Sequence, residues 1–211
     1  MSKLRIVVFA SGSGSNLQSI IDHTEADKLN IELAAVVCNK AGIKSIERAE
    51  THNIPVHVIP SKGLNREEHE ALVMQALEPI QPELLVFAGY MRLVNATFIQ
   101  KYYNHQKQLP GIINIHPALL PSFAGVDGYG DAYKYGVKVS GITVHFIDGG
   151  MDTGPIIAQE VLQRQQGESL DEFKARGLAI EHQLFPKVIQ WYATDRLSLD
   201  GRWVHIQESR G

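Results

Sequence analysis

Apolar residues along this chain fall into short runs separated by segments of helical period. "RIVVFA" (5–10) is continuous and short, as expected of a strand buried on both faces. "IELAAVV" (31–37), "IPVHVI" (54–59) and "ELLVFAGY" (83–90) repeat that pattern. Between them the period changes. From Asn16 to about Leu29, the residues Leu17, Ile20 and Ile21 share a helical face. Ile43, Ile46 and Ala49 mark a second helix, and Leu72, Val73, Ala76, Leu77 and Ile80 a third within "REEHEALVMQALEPI". Strand–helix alternation of this kind calls for right-handed crossovers and a mostly parallel sheet.

The second half reads differently. "GIINIH" (111–116) is a strand that ends on polar residues, and "PALLPSFAGVDGYG" is too rich in Pro and Gly to be regular. "DAYKYG" predicts a short helix stopping at Gly136. "GITVHFID" alternates as a half-buried strand does, and "GPIIAQEVL" is a further strand, so these pairings are expected to be antiparallel or mixed. Ser169 and Glu172 form a capping-box pattern opening a long helix through Phe173, Leu178, Leu184, Val188 and Tyr192, with a kink expected at Pro186. Asp200-Gly201 in "LDGRW" predicts a terminal hairpin. The fold expected is α/β: a Rossmann-like, open, twisted, mostly parallel sheet flanked by helices, with mixed or antiparallel C-terminal strands. No linker, repeat or low-complexity tract divides it. A single domain is expected over 1–211, with a nucleotide-binding half to about 110 and a catalytic half from about 111.

Composition narrows the function. With 211 residues, 44% of them hydrophobic and 20% charged, the chain can bury the core of one globular domain. A net charge of −3 argues against a nucleic-acid partner and leaves a small anionic substrate open. Cys38 is the only cysteine, which excludes an internal disulfide and a cysteine metal cluster and suits a cytoplasmic location. The apolar run in "MSKLRIVVFASGSG" is too short for a signal peptide, and no stretch approaches the roughly 20 residues of a membrane span. The histidines show no His-Glu-x-x-His or comparable spacing, so a metal-free site is expected.

Three segments carry candidate chemistry. "SGSGSNLQSI" (11–20) joins the first strand to the first helix. Leu17 stands where a dinucleotide fingerprint needs its third glycine, and no Gly-Lys-Ser/Thr follows for a P-loop. Two readings stay open: an anion cradle at a helix N-terminus, or a tight turn capped by Ser15 or Asn16. In "NIHPALLPSFAG" (114–125), Asn114 and His116 share one face of a strand end. An Asn amide can donate to a developing oxyanion and a His beside it can move a proton, although a strand-end His often only satisfies a carbonyl. Asp152, in "GGMDTGPII" (149–157), either stabilises an imidazolium at His116 or makes a turn.

"VFASGSGSN", "FAGYMRLV", "NIHPALLPSFAG" and "DTGPII", in that order over nearly the whole chain, resemble the phosphoribosylglycinamide formyltransferases that use 10-formyltetrahydrofolate. The resemblance implies a catalytic trio of Asn114, His116 and Asp152. It implies nucleotide contacts at Gly14, Ser15 and Asn16, for the phosphate, and at Leu178, Ala179, Ile180 and Glu181. It implies folate contacts at Arg66, Met91, Arg92, Leu93, Val94 and Asn114 and along Asp148, Gly149, Gly150, Met151 and Asp152. The formyl-folate would be a co-substrate, with no metal, no membrane and no nucleic acid, in a monomer or homodimer. Ala118 and Ala124 replace residues that are often Ser and Pro in the family, and "GVDGYGDAYKYG" replaces a stretch that contains histidine in some members. The rivals are a methionyl-tRNA formyltransferase, a formyltetrahydrofolate hydrolase and a non-enzymatic nucleotide-binding module. The first is expected to need an RNA-binding domain after Asp152, and the second a regulatory domain before the first strand. The third has no need of Asn114, His116 and Asp152 together.

Overall fold

The computed structural model describes residues 2–207. Leu4–Ala10 (β1), Ser15–Glu25 (α1), Ile31–Cys38 (β2), Lys44–Thr51 (α2), Val56–Val58 (β3), Arg66–Leu77 (α3) and Leu84–Phe87 (β4) alternate as the periodicity requires. The helix Ala96–Lys101 (α4) follows, then a short ribbon of Tyr103–Asn104 (β5) and Leu109–Pro110 (β6), then Ile112–His116 (β7) and Gly128–Tyr135 (α5). Val139–Phe146 (β8), Ile156–Gln163 (β9), the long helix Leu170–Ala193 (α6) and a hairpin of Leu197–Asp200 (β10) and Trp203–Ile206 (β11) complete the order. The main sheet has seven strands in the order β3-β2-β1-β4-β7-β8-β9. It is parallel from β3 to β7 and antiparallel from β7 to β9. The order of strand addition reverses between the parallel strands β1 and β4, and a crevice opens at their C-terminal ends.

Strand alternation builds two cores. Ile6 and Val8 of β1 face the side covered by α1 and α6, where Leu17, Ile20, Phe185 and Val188 are buried. Val7 and Phe9 face the opposite side, with Val73, Leu77 and Phe98 from α3 and α4. Each such buried side chain contributes about 1.5–3 kcal/mol, so the continuous apolar runs are the sequence expression of a sheet covered on both faces.

Three readings change. The helix expected to reach Leu29 ends at Glu25, where Ala26 caps it and Asp27 enters the left-handed region at φ 52°. In α3 the buried face is His69, Glu70, Val73 and Leu77, while Leu72 is 44% exposed. Two polar residues lie on the inner face there, which hydropathy alone assigns to solvent. β8 is buried along almost its whole length and is not half-exposed. Its Ile142, Val144 and Phe146 join the core under α6, while Thr143 on the other face donates to the Ala118 carbonyl and accepts from Leu120 N–H, beneath the Pro-rich loop. The long helix forms as α6, continuous through Pro186. A proline there leaves the His182 carbonyl without its helical donor, and the Ser19 hydroxyl of α1 donates to that carbonyl at 2.7 Å. The Ser169–Glu172 capping box, the stop at Gly136 (φ 83°) and the turn at Gly201 (φ 58°) form as expected.

Candidate active site

A cavity of about 480 Å³ opens at the crevice between β1 and β4. Its walls come from the ends of β1, β4, β7 and β8, the loop before β9, and one face of α6.

The glycine-rich loop forms one wall. Gly14 is the N-cap of α1 at φ 70°, ψ 29°, and no side chain caps the helix, so neither Ser15 nor Asn16 is its cap. A Cβ on Gly14 would lie 2.7 Å from Ser45 Oγ. The loop is strapped to α2: Ser45 N–H and Oγ both donate to the Gly12 carbonyl, and Arg48 Nε donates to the Ser13 carbonyl at 2.9 Å. The first turn of α1 holds no acidic residue of its own to compete for its N-terminal N–H groups. Asn16 turns its amide away from this loop and donates at 2.6 Å to Glu181 Oε2. Lys40, just past the end of β2, adds a cation to this wall.

The opposite wall holds the polar cluster. Asn114 and His116 lie on one face of β7, as alternation predicts. Asp152 approaches from the loop before β9, with Oδ2 3.5 Å from His116 Nδ1 and Oδ1 3.6 Å from His145 Nε2. His116 is 3% exposed, and its Nε2 donates to the Phe123 carbonyl at 2.8 Å. Both of its ring nitrogens therefore face acceptors. Burial opposes the charge on Asp152. The His145 ring, the Gly125 N–H (2.9 Å) and the His116 ring outweigh that and hold the carboxyl below the usual aspartate range. Asp152 takes φ 53°, a left-handed conformation that Asp tolerates better than most residues.

His145 escaped the sequence reading. Its Nδ1 donates to the Phe146 carbonyl at 2.7 Å, and its Nε2 lies 3.2 Å from the Asn114 amide nitrogen and 3.6 Å from Asp152 Oδ1. The ring therefore sits between the Asn114 amide and the Asp152 carboxylate. The available signal was its place on the polar face of "GITVHFID", two residues from Thr143.

Met91, Arg92, Leu93 and Val94 line the cavity after β4, tied to the glycine loop where Met91 N–H donates to Ser11 Oγ at 2.9 Å. Asp148, Gly150, Met151 and Asp152 also line it, and Asp148 Oδ1 holds the turn by accepting from Gly150 N–H and Thr153 Oγ. Other expected positions lie elsewhere. Gly149 is exposed beside the wall, and Arg66 is exposed at the start of α3, outside it. Of the stretch on α6, Leu178 and Glu181 face the cavity, whereas Ala179 and Ile180 line a separate groove with Lys187 and Trp191. Successive helical residues differ by about 100°, so four in a row cannot face one site. Glu181 is 5% exposed, and burial raises its carboxyl above the usual range against hydrogen bonds from Tyr129 and Asn16. Among the described residues no group of three or more His, Cys, Asp or Glu could hold a metal ion, and no helix is long and apolar enough to cross a membrane.

Residues 4–189 match the formyl transferase family. The chain is 41% identical over 187 residues to a phosphoribosylglycinamide formyltransferase of Bacillus subtilis, covering 88% of this chain and 93% of that protein. It is 35% identical to part of a human trifunctional purine biosynthetic protein adenosine-3, covering 93% of this chain and 19% of the human protein. The crystal structure of glycinamide ribonucleotide transformylase 1 from Symbiobacterium toebii superposes with a TM-score of 0.91 at 36% identity, covering 98% of this chain and 95% of that one.

Proposed function

The chain belongs to the formyl transferase family, and on that premise we propose that its cavity brings 10-formyltetrahydrofolate together with glycinamide ribonucleotide. The reaction class is formyl transfer in purine biosynthesis. The observation that carries the reading is the meeting of Asn114, His116 and Asp152 in a cavity that runs from the glycine loop to Met91–Val94. The glycine loop suits the nucleotide phosphate, received on backbone N–H groups at the start of α1. The turn of Met91–Val94 and the loop from Asp148 to Asp152 suit the folate.

In this reading the glycyl amine attacks the formyl carbon. A C–N bond forms and the carbonyl electrons move onto oxygen. The Asn114 amide, beside the His145 ring, and a protonated His116 stabilise the oxyanion. Asp152 stays ionised and supports the charge on His116. Collapse breaks the bond to N10 of the folate, and the proton lost by the amine ends on that nitrogen. The trio contains no activated Ser or Cys, so transfer is direct.

The test mixes purified protein with both substrates and follows folate absorbance. Release of tetrahydrofolate that depends on glycinamide ribonucleotide is the expected result. Release without any acceptor would identify a hydrolase instead, and formylation of methionyl-tRNA alone would identify the tRNA enzyme.

A further inference from the structure

Tyr129 lies on α5 in the segment "GVDGYGDAYKYG", outside every role assigned above. It is 7% exposed, and its hydroxyl donates to Glu181 Oε1 at 2.5 Å. Asn16 donates to the other oxygen, Oε2, at 2.6 Å. Three elements therefore converge on one buried carboxylate: α1 through Asn16, α5 through Tyr129, and α6, which carries it. The groups facing Glu181 are neutral Asn16, Tyr129 and, from β7, the His116 ring. Each carboxylate oxygen can accept more than one hydrogen bond, so both remain able to accept from a ligand. The Asn16 amide oxygen is buried without a partner among the described residues, a further acceptor in the same corner.

Packing shows that the tyrosine is built in. A Cβ on Gly177 would lie 2.3 Å from both Cε1 and the hydroxyl oxygen of Tyr129. Gly177 is a mid-helix glycine in α6, a position where glycine costs roughly 1 kcal/mol relative to alanine. Its missing side chain is what lets the ring lie on the helix beside Phe173, with ring centroids 6.0 Å apart.

We propose that Tyr129 is a positioning residue for the nucleotide substrate. Seated in the notch at Gly177, it holds the Glu181 carboxylate so that its free acceptor sites face the ligand hydroxyls next to the phosphate at Gly14–Ser15. This rests on the reading above, in which the nucleotide occupies the corner between the glycine loop and α6. Two neutral donors, one on each oxygen, fix the carboxylate plane and leave each oxygen able to accept again, which suits a partner that donates neutral hydroxyl hydrogens.

The experiment is a double-mutant cycle of Tyr129→Phe and Glu181→Gln, read as separate KM values for glycinamide ribonucleotide and formyl-folate, with kcat. A hydrogen bond to a charged group is worth about 1.5–3 kcal/mol. Tyr129→Phe, which keeps the ring, is expected to raise the nucleotide KM about tenfold or more, with much smaller changes in the folate KM and kcat. In the Glu181→Gln background the same change should add little, because Tyr129 acts through the carboxylate. Gly177→Ala gives an independent arm: it keeps the hydroxyl but displaces it, and should also raise the nucleotide KM. An unchanged nucleotide KM in Tyr129→Phe, with Glu181→Gln raising it, overturns the role of Tyr129 alone. No effect of Glu181→Gln on that KM overturns the placement of the nucleotide as well.

Discussion

His116 is held by a carbonyl on one ring nitrogen and faces a carboxylate with the other, and this defines what its removal does. His116→Ala is expected to lower turnover by roughly 10²–10³-fold, with circular dichroism showing the fold retained. Near-wild-type turnover in the folded variant would remove His116 from the mechanism. Asp152 makes a pH prediction whose sign follows from its lowered value. Its folded-state pKa lies below the ordinary 3.8, so the stability from its ionised contacts is present above that value. It is lost as pH falls through the lowered folded value. Asp152→Asn keeps the left-handed backbone tolerable and should melt below wild type at neutral pH. The gap in Tm should close as the pH drops below the normal aspartate range. A gap that widens in acid would mean that Asp152 is not stabilised as a carboxylate.

At the scale of elements, two local devices can be tested by single substitutions. The first is the start of α1. Gly14 combines φ 70° with a Cβ direction blocked by Ser45. Gly14→Val should therefore distort the loop and raise the KM for the nucleotide far more than that for the folate. Inorganic phosphate should compete with the nucleotide and not with the folate; a nucleotide phosphate found on Arg66 in a soaked crystal would overturn the assignment. The second is the α1–α6 contact, where Ser19 serves the carbonyl freed by Pro186. Ser19→Ala leaves that part-buried acceptor without its donor, at a cost of about 1 kcal/mol. Each kcal/mol lowers Tm by about 2–4 °C in a protein of this size. A Tm within a degree of wild type would show that the carbonyl finds another donor.

Across the whole molecule, the cavity depends on elements from both halves of the chain. β4 pairs with β1 on one side and β7 on the other, and α6 packs on α1 while Glu181 reaches Asn16. A cut at residue 110 would expose the β4 edge and strip α6 from the face holding Leu17 and Ile20. We therefore expect the fragment 1–110 to give a poorly dispersed amide NMR spectrum and to bind no nucleotide. A well-dispersed spectrum would show that the halves are independent domains.

Much of this protein was written in local pattern. Uninterrupted apolar runs set the strands of a two-sided sheet, Ser169, Gly136 and Gly201 set ends and turns, and the polar end of "GIINIH" placed Asn114 and His116 at a strand terminus, where open α/β sheets bind ligands. Those features depend on a residue and its near neighbours, so a one-dimensional reading reaches them. The glycine-flanked loop offered Asp152 as a candidate, and the resemblance confirmed its membership and supplied Glu181, but neither gave what these carboxylates touch. Tertiary structure alone turned Asn16 from the phosphate loop toward Glu181, 165 residues away, and brought Tyr129 to that carboxylate from 52 residues away. It also set His145 against Asn114 across the β7–β8 pair and sent Ala179 and Ile180 to a different groove from Glu181. Which side chain meets a buried polar group is decided by how sheet and helices stack. Burial then makes an unpartnered polar atom costly, so that packing selects the partners.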